Sequence, residues 1–273
     1  MPFYQFMSKY FLISRWRPPY AMGYRPETLR RPTVMITGAA IFVPIAVLLQ
    51  ALPPIFLTPW FMRIDFVGVS WVLCWSLFGF RSALLSLLIS VPLVGVLGPF
   101  AGGWVGAVMK SVASVWMFAV PTLFARLVGG YDRLVSRRFT LLLASLAAIA
   151  VRDVVTALFN FYFAIPFFFG MSGSQIIDFF SAPQFQSFLG LSLGLVGVGA
   201  YLAEVVFWNT LQGAVDIYAS LVIGHLVMTR VFSRGERAVS SAPRSSKVVD
   251  QPSKNPSGPS QPPQRNPAAG RQG

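Results

Sequence analysis

The chain has 273 residues, of which 55% are apolar and 11% are charged, and its formal net charge is +13. A soluble domain would need roughly a quarter of its residues charged, so this composition excludes an ordinary soluble protein and favours helices packed in lipid. The single cysteine, Cys74, excludes an intrachain disulfide, and with one histidine we expect no metal site and no cofactor. The basic residues flank apolar runs, which indicates a bilayer surface and not nucleic acid as the partner.

Six apolar stretches are predicted to cross the membrane, which makes the chain an all-α membrane protein with a six-transmembrane-helix bundle. They cover residues 33–53, 66–80, 82–97, 104–126, 139–168 and 201–229. The second and third are short for a hydrocarbon core about 30 Å thick, so we expect tilt or local irregularity there. Residues 186–200 compete as a seventh span, but their glycines and the lack of a following basic turn favour a partly buried outer loop.

Basic residues set the predicted orientation, because Lys and Arg are retained on the cytoplasmic side. The segments assigned to the outside carry only Arg63, which predicts that both termini are cytoplasmic. Three regions follow: a basic N-terminal segment at 1–32, a six-helix domain at 33–229 and a C-terminal tail at 230–273. The tail is rich in Ser, Pro, Gly and Gln, so it cannot bury enough apolar surface to order itself and is predicted to be disordered.

Polar side chains within the spans are few, and ionisable groups there usually face a cavity or a partner. Four of them, on three helices, are predicted to lie roughly 10 to 16 Å below the outer surface. They are Lys110, Asn160, Asn209 and Gln212. Helical phase adds Asp216 to the face of Asn209, and Asp153 to the face of Asn160. Neutral donors and acceptors beside many aromatic residues describe a pocket for a planar, polar, uncharged ligand.

A purely structural interpretation of the same residues stays open at this stage. Asn and Gln commonly tie helices together in membranes. Asp153 also has an alternative role, in which it neutralises Lys110 or another base across the bundle.

Three stretches resemble the riboflavin-specific S component family (RibU) of the energy-coupling factor (ECF) transporters. MRIDFVGV at 62–69 is similar to the basic-Ile-Asp-Phe entry of the family's second helix. ALFNFYFAIPFFFG at 157–170 is similar to its Leu-Asn-Tyr-Phe segment, and VVFWNTLQGAVDIYASLV at 205–222 looks like its Pro-Phe-Asn-Leu-x-Lys-Gly helix. The resemblance covers roughly residues 33–229. It implies a multi-pass protein of the cell membrane that binds a vitamin from outside and then associates with a coupling protein (the T component) and two ATPase subunits.

The resemblance also implies roles for individual residues. Asn160 and Asn209 would hydrogen-bond a flavin from opposite helices, and Gln212 stands where the family has lysine. Lys110 stands where the family usually has asparagine, so we expect it to replace the missing ammonium group. The predicted substrate-binding set is completed by carboxylates. They are Asp65, Asp153 and Asp216.

The resemblance further implies that small residues on the first helix dock against the coupling protein, in keeping with the use of small residues at close helix contacts. They are Gly38, Ala39 and Ala46.

We expect no enzymatic activity in the chain itself, because it has no Gly-x-x-x-x-Gly-Lys phosphate loop and ATP would be used by the partner ATPase subunits. Riboflavin is the predicted substrate, while a flavin nucleotide or another vitamin such as pantothenate stays open. A channel and a rhomboid-like protease using Ser172 and His225 are the alternatives from other classes. The two residues are predicted near opposite membrane surfaces, roughly 30 Å apart, which argues against the protease.

Overall fold

The computed structural model describes most of the predicted membrane domain. Its described residues are 32–53, 55–57, 63–97, 103–182 and 187–241. Within these ranges the regular secondary structure is helical apart from one pair of two-residue strands, and five helices are long and apolar enough to cross a membrane. This confirms the prediction of an all-α membrane protein. The predicted basic segment before residue 32 and the tail beyond residue 241 lie outside the described residues.

The described elements follow the predicted spans in order. They are α1 (Pro32–Ala51), β1 (Phe56–Leu57), β2 (Arg63–Ile64), α2 (Val67–Phe78), α3 (Phe80–Leu97), α4 (Gly103–Leu127), α5 (Tyr131–Ser136), α6 (Arg138–Phe159), a π-helical turn (Asn160–Ala164), α7 (Ile165–Phe169), α8 (Gly173–Ser181), α9 (Phe188–Leu193) and α10 (Gly197–Ser241). The five long apolar helices are α1, α3, α4, the continuous run from α6 to α7, and α10 as far as Val227. The strands pair antiparallel, with Phe56 opposite Ile64.

The second predicted span is the short helix α2, and it lies at the centre of the bundle. Its 12 residues extend only about 18 Å. The indole of Trp71 donates to Ser90 Oγ on α3 at 2.9 Å, and that of Trp75 donates to Thr122 Oγ1 on α4 at 2.8 Å. Because α2 is enclosed by its neighbours, its residues are apolar on nearly every side.

The fifth span changes its helical pitch where α6 meets α7. The five residues Asn160–Ala164 form a π turn, in which Ile165 N–H donates to the carbonyl of Asn160. Pro166 follows immediately and has no N–H for the carbonyl four residues before it. Such π turns are frequent at functional sites.

Residues 186–200, predicted as a partly buried outer loop, contain helical structure but no additional long helix among the described residues. The described part forms α9, a short turn and the beginning of α10, which starts at Gly197 and so four residues before the predicted residue 201. Gly197 adopts a φ of 62°, a left-handed conformation that glycine tolerates without strain. The chain can therefore reverse there and enter the last helix.

The last helix also extends beyond the predicted end of the membrane domain. Residues 230–241, assigned from the sequence to a disordered tail, are helical in the structure. Apolar periodicity stops near residue 229, but the arginines, alanine and glutamate that follow have adequate helix propensity, so the helix continues.

The chain divides into two compact units at Gly235, of which the first holds all the elements before that residue.

The predicted docking residues face the interior of the chain. Gly38, Ala39 and Ala46 are buried, and a Cβ at position 38 would lie 2.7 Å from the ring of Phe78. Their small size serves the close packing of α1 within the bundle. In the chain alone these residues therefore pack inside the bundle, and the exposed face of α1 carries larger residues such as Leu48.

Glu204 joins α9 to α10, and its removal provides a test of this outer part of the fold. The residue is 2% exposed; its Oε1 accepts from Leu189 N–H at 2.9 Å, and its Oε2 accepts from Trp208 Nε1–H at 2.6 Å. We expect Glu204→Ala to leave both donors unpaired, which costs roughly 1 to 3 kcal/mol per buried group. Amide hydrogen exchange of residues 187–196, read by mass spectrometry, should accelerate.

Glu204→Gln is the matched control for this test, because it keeps one acceptor oxygen and the side-chain volume. Its exchange rates should fall between those of the wild type and Glu204→Ala. Unchanged protection of residues 187–196 in the alanine variant would contradict the proposed role of this side chain.

Candidate ligand-binding site

A cavity of about 570 Å³ lies between α4, the α6 to α7 run and α10. This volume is within the range of roughly 300 to 1,000 Å³ that is typical of small-molecule sites. Two helices supply regular stripes of lining residues. The stripe on the α6 to α7 run is Arg152, Thr156, Asn160, Ala164 and Phe168, and that on α10 is Tyr201, Val205, Asn209, Gln212 and Asp216.

The cavity is polar at one end and aromatic at the other. From Tyr201 to Asp216 the α10 stripe covers about 22 Å along the helix, so the aromatic and polar ends of the cavity are well separated. The other end is walled by Met171 and by aromatic side chains from α7, α8 and the start of α10. They are Phe168, Phe169, Phe179, Phe180 and Tyr201. The rings of Phe180 and Tyr201 stack with centroids 4.2 Å apart, which closes α8 against α10.

Six of the seven predicted substrate-binding residues line this one cavity. They are Asp65, Lys110, Asn160, Asn209, Gln212 and Asp216. Asp153 does not line it: its Oδ2 accepts from Thr210 Oγ1 at 2.7 Å, in a contact between α6 and α10. Since neighbouring helical residues point about 100° apart, Asp153 faces α10 while Arg152 faces the cavity.

Gln212 connects α10 to the irregular backbone between β2 and α2. Its Oε1 accepts from Asp65 N–H at 3.1 Å, and its Nε2 donates to the Asp65 carbonyl at 2.7 Å. The same Nε2 donates to Asp216 Oδ1 at 2.8 Å. One side-chain amide thus satisfies both backbone groups of a non-helical residue. Non-helical backbone inside a membrane is tolerated where it is buried in protein or lines a cavity.

Two ion pairs occupy the polar end of the cavity. Lys110 pairs with Asp65 and donates a further bond to Gln50 Oε1 on α1 at 2.7 Å. Arg152 Nη1 donates to Asp216 Oδ2 at 2.6 Å. The partner of Lys110 is therefore Asp65, and the alternative in which Asp153 neutralises it is wrong. Buried pairs of this kind need both members, because an unpaired charge in a low-dielectric interior is strongly destabilising.

Asn160 and Asn209 present unused hydrogen-bonding groups to the cavity. Asn160 is the first residue of the π turn, and its side chain makes no hydrogen bond to another described residue. Asn209 Nδ2 donates to the Val205 carbonyl at 2.9 Å, and no described residue donates to its Oδ1. The two amides come from different helices and line one space, which is the arrangement expected for groups that contact a bound molecule.

Sequence reasoning missed three contributions to the site. Arg152 lies within the fifth predicted span, but no role in the cavity was predicted for it, although a buried arginine requires a carboxylate and Asp216 was available. Gln50 ends an apolar helix and was not considered. The residues of α8 were missed because they lie between the fifth and sixth predicted spans, where no structure was predicted, yet Phe179 and Phe180 form part of the wall.

Ser172, the nucleophile of the protease alternative, serves as a helix cap. Its Oγ accepts from Gln175 N–H at the start of α8, and Gln175 Oε1 accepts from Ser172 N–H at 2.7 Å. His225 lies about 36 Å along α10 from Tyr201, which packs against α8.

Gly68 permits the close approach of α2 to α10 beside the Arg152 pair. A Cβ at this position would overlap the carboxylate of Asp216. We expect Gly68→Ala to lower the stability of the purified protein by roughly 1 to 3 kcal/mol through overpacking. Thermal unfolding in detergent measures this.

Gly199→Ala is the control for the Gly68 variant, because a Cβ there meets no atom within 4 Å. It should leave the melting temperature unchanged or raise it slightly. Equal melting temperatures for Gly68→Ala and the wild type would show that α2 and α10 are not packed this closely.

No family model matches the chain, and no curated protein or solved structure matches it either.

Proposed function

We propose that the chain is the substrate-binding S component of an ECF-type vitamin importer in the cell membrane, and that it captures riboflavin from the outside. One observation carries this proposal: Asn160 and Asn209, on different helices, line a single cavity of about 570 Å³ inside a membrane-spanning bundle and keep hydrogen-bonding groups unused there. The resemblance of three sequence stretches to the RibU family supports the choice of ligand.

The chemistry of a flavin agrees with the two ends of the cavity. The ring system is flat, with carbonyl acceptors and an N–H donor along one edge and a methylated benzene ring at the other. Side-chain amides can both donate to and accept from the polar edge. The aromatic wall contributed by Phe179, Phe180 and Tyr201 suits the apolar part, since aromatic rings pack edge-on or in offset stacks.

The proposed topology has six helices, with α2 as the short second member and both termini cytoplasmic. Exposed basic residues surround α5, which joins the end of α4 to the start of α6. They are Arg126, Arg133, Arg137 and Arg138. By the distribution of basic residues this end is cytoplasmic. The aromatic end of the cavity lies at the opposite ends of the same helices, where a ligand would enter from outside.

In this proposal the chain binds the vitamin and does not hydrolyse ATP. Two ATPase subunits and a coupling protein would supply the energy and the conformational change. Because Gly38, Ala39 and Ala46 are buried within the chain, the coupling protein would contact other residues.

The absorption spectrum of the protein purified in detergent tests the ligand directly. We expect bound flavin, with a yellow colour and fluorescence quenched on binding. Asn160→Ala and Asn209→Ala should each weaken riboflavin binding about five- to tenfold, because each removes a hydrogen bond worth roughly 1 to 1.5 kcal/mol in a water-poor site. Fluorescence titration measures the dissociation constants.

Leu158→Ala is the control for these variants, because Leu158 lies on the same helix and is exposed on its outer surface. Its affinity should equal that of the wild type. A colourless wild-type protein that also fails to quench added riboflavin would refute the flavin proposal.

Lys110→Ala tests whether this ammonium group contacts the ligand. We expect riboflavin affinity to fall, because the variant removes a charged donor that lines the cavity. Gln50→Ala is the matched control, since it removes a hydrogen-bond partner of Lys110 that lies outside the cavity lining. Unchanged affinity in Lys110→Ala would show that the ammonium group does not replace the lysine of the resembled family.

A further inference from the structure

Four exposed arginines lie at one end of the helix bundle. One is in the first turn of α3, one is in the last turn of α4, and two are at the end of α5; they are Arg81, Arg126, Arg133 and Arg137. Aromatic contacts join these elements to one another and to α2. The ring centroids of Trp75 and Tyr131 are 5.0 Å apart, and those of Phe80 and Phe118 are 5.8 Å apart. The four arginines therefore belong to one surface, which we call the arginine surface.

Two of these arginines are brought to the turn between α4 and α5. Arg126 precedes the turn, and its carbonyl accepts from Gly129 N–H at 3.3 Å. A Cβ at Gly129 would lie 2.7 Å from Arg133 Nη1, so the guanidinium group of Arg133 lies directly against the turn. Arg126 and Arg133 thus meet at the same turn, although they are on different helices.

The arginine surface carries positive charge that no described carboxylate neutralises. The two ion pairs among the described residues lie at the polar end of the cavity, and neither includes any of the four exposed arginines. By sequence, residues 79–82 and 126–138 together hold five arginines and one acidic residue. Leu134 and Val135 are buried, which leaves the arginines of α5 on its outer side. The compensating negative charge is therefore expected from outside the chain.

Large apolar side chains beside these arginines are exposed. Leu127 follows Arg126 directly and is 74% exposed, and Phe139, two residues after Arg137, is 71% exposed. Both lie on helices that are long and apolar enough to cross a membrane, so their exposed side chains contact acyl chains. An arginine at such a position lays its apolar stem along the protein and keeps its charged group among the polar headgroups. The arginine surface therefore lies at the boundary between acyl chains and headgroups.

An anionic phospholipid has the chemistry that fits this boundary. The planar guanidinium fork matches the oxygens of a phosphate, and such charge-assisted hydrogen bonds are roughly twice as strong as neutral ones. In phosphatidylcholine an ammonium group on the same headgroup compensates the phosphate, so only a headgroup with net negative charge balances the surface. An acidic protein would supply the charge as well, but the acyl chains of a phospholipid also cover the exposed Leu127 and Phe139.

We propose that the arginine surface is a binding site for anionic phospholipids, in which Arg126 and Arg133 contact the headgroup phosphate and Leu127 contacts the acyl chains. The site lies outside the cavity lining, so it does not depend on the ligand bound there. Because the headgroup contact is ionic and exposed, occupancy should fall as the salt concentration rises.

Native mass spectrometry of the full-length chain in detergent tests this site, with phosphatidylglycerol and phosphatidylcholine of identical acyl chains as the probes. We expect phosphatidylglycerol to bind at least about tenfold more tightly. In the double variant Arg126→Gln/Arg133→Gln its affinity should fall roughly twentyfold, at about fivefold per arginine, while the affinity for phosphatidylcholine stays unchanged. Arg126→Lys/Arg133→Lys is the matched control, because it keeps both charges and should keep most of the preference.

Thermal unfolding in detergent gives a second readout. Without added lipid, the melting temperature of both double variants should equal that of the wild type, because the substituted side chains are exposed. Phosphatidylglycerol should raise the melting temperature of the wild type, and added sodium chloride should reduce this effect.

Several outcomes would overturn the proposal. They include equal affinity of the wild type for the two lipids, which needs no variant, and unchanged phosphatidylglycerol affinity in the glutamine variant. Stabilisation by glycerol 3-phosphate equal to that by phosphatidylglycerol would show that the surface binds free phosphate groups and not a lipid. Stabilisation by polyglutamate without any response to phosphatidylglycerol would identify an acidic protein as the partner instead.

Discussion

The fold depends on the requirement that polar groups inside a membrane be satisfied by the protein itself. The second span stops short, and the backbone before it is not helical, so Asp65 would leave its N–H and carbonyl unpaired. Gln212 provides for both from another helix, and Lys110 pairs with the side chain of the same aspartate. The break in the helix therefore persists because two other helices supply its hydrogen bonds.

The side chains that satisfy Asp65 also form part of the candidate site. The two side chains that support the break, Gln212 and Lys110, also line the cavity. The ion pair of Arg152 and Asp216 lies at the polar end of the cavity, and Gly68 lets α2 approach the Asp216 carboxylate. Structural and ligand-binding interpretations of these residues are thus not exclusive. Most of the network holds the bundle together, while Asn160 and Asn209 keep hydrogen-bonding groups for a ligand.

Sequence predicted the helical spans and most of the cavity residues because both follow from simple periodicities. Apolar length located the spans, and the rise of about 1.5 Å per residue placed Lys110, Asn160 and Gln212 at a common level. Which polar groups pair could not be predicted, because this depends on how helices rotate against one another. For the same reason the packing of Gly38 against Phe78 could not be predicted.

The π turn has a geometric consequence for the cavity wall. In an uninterrupted α-helix, steps of four residues drift by about 40° each, so Phe168 would lie about 160° around the axis from Arg152 and would face away from it. Both nevertheless line the same space. The π turn at Asn160 accommodates one extra residue, so the residues after it are rotated less about the helix axis than in a regular α-helix. The aromatic and charged halves of the wall therefore belong to one continuous surface.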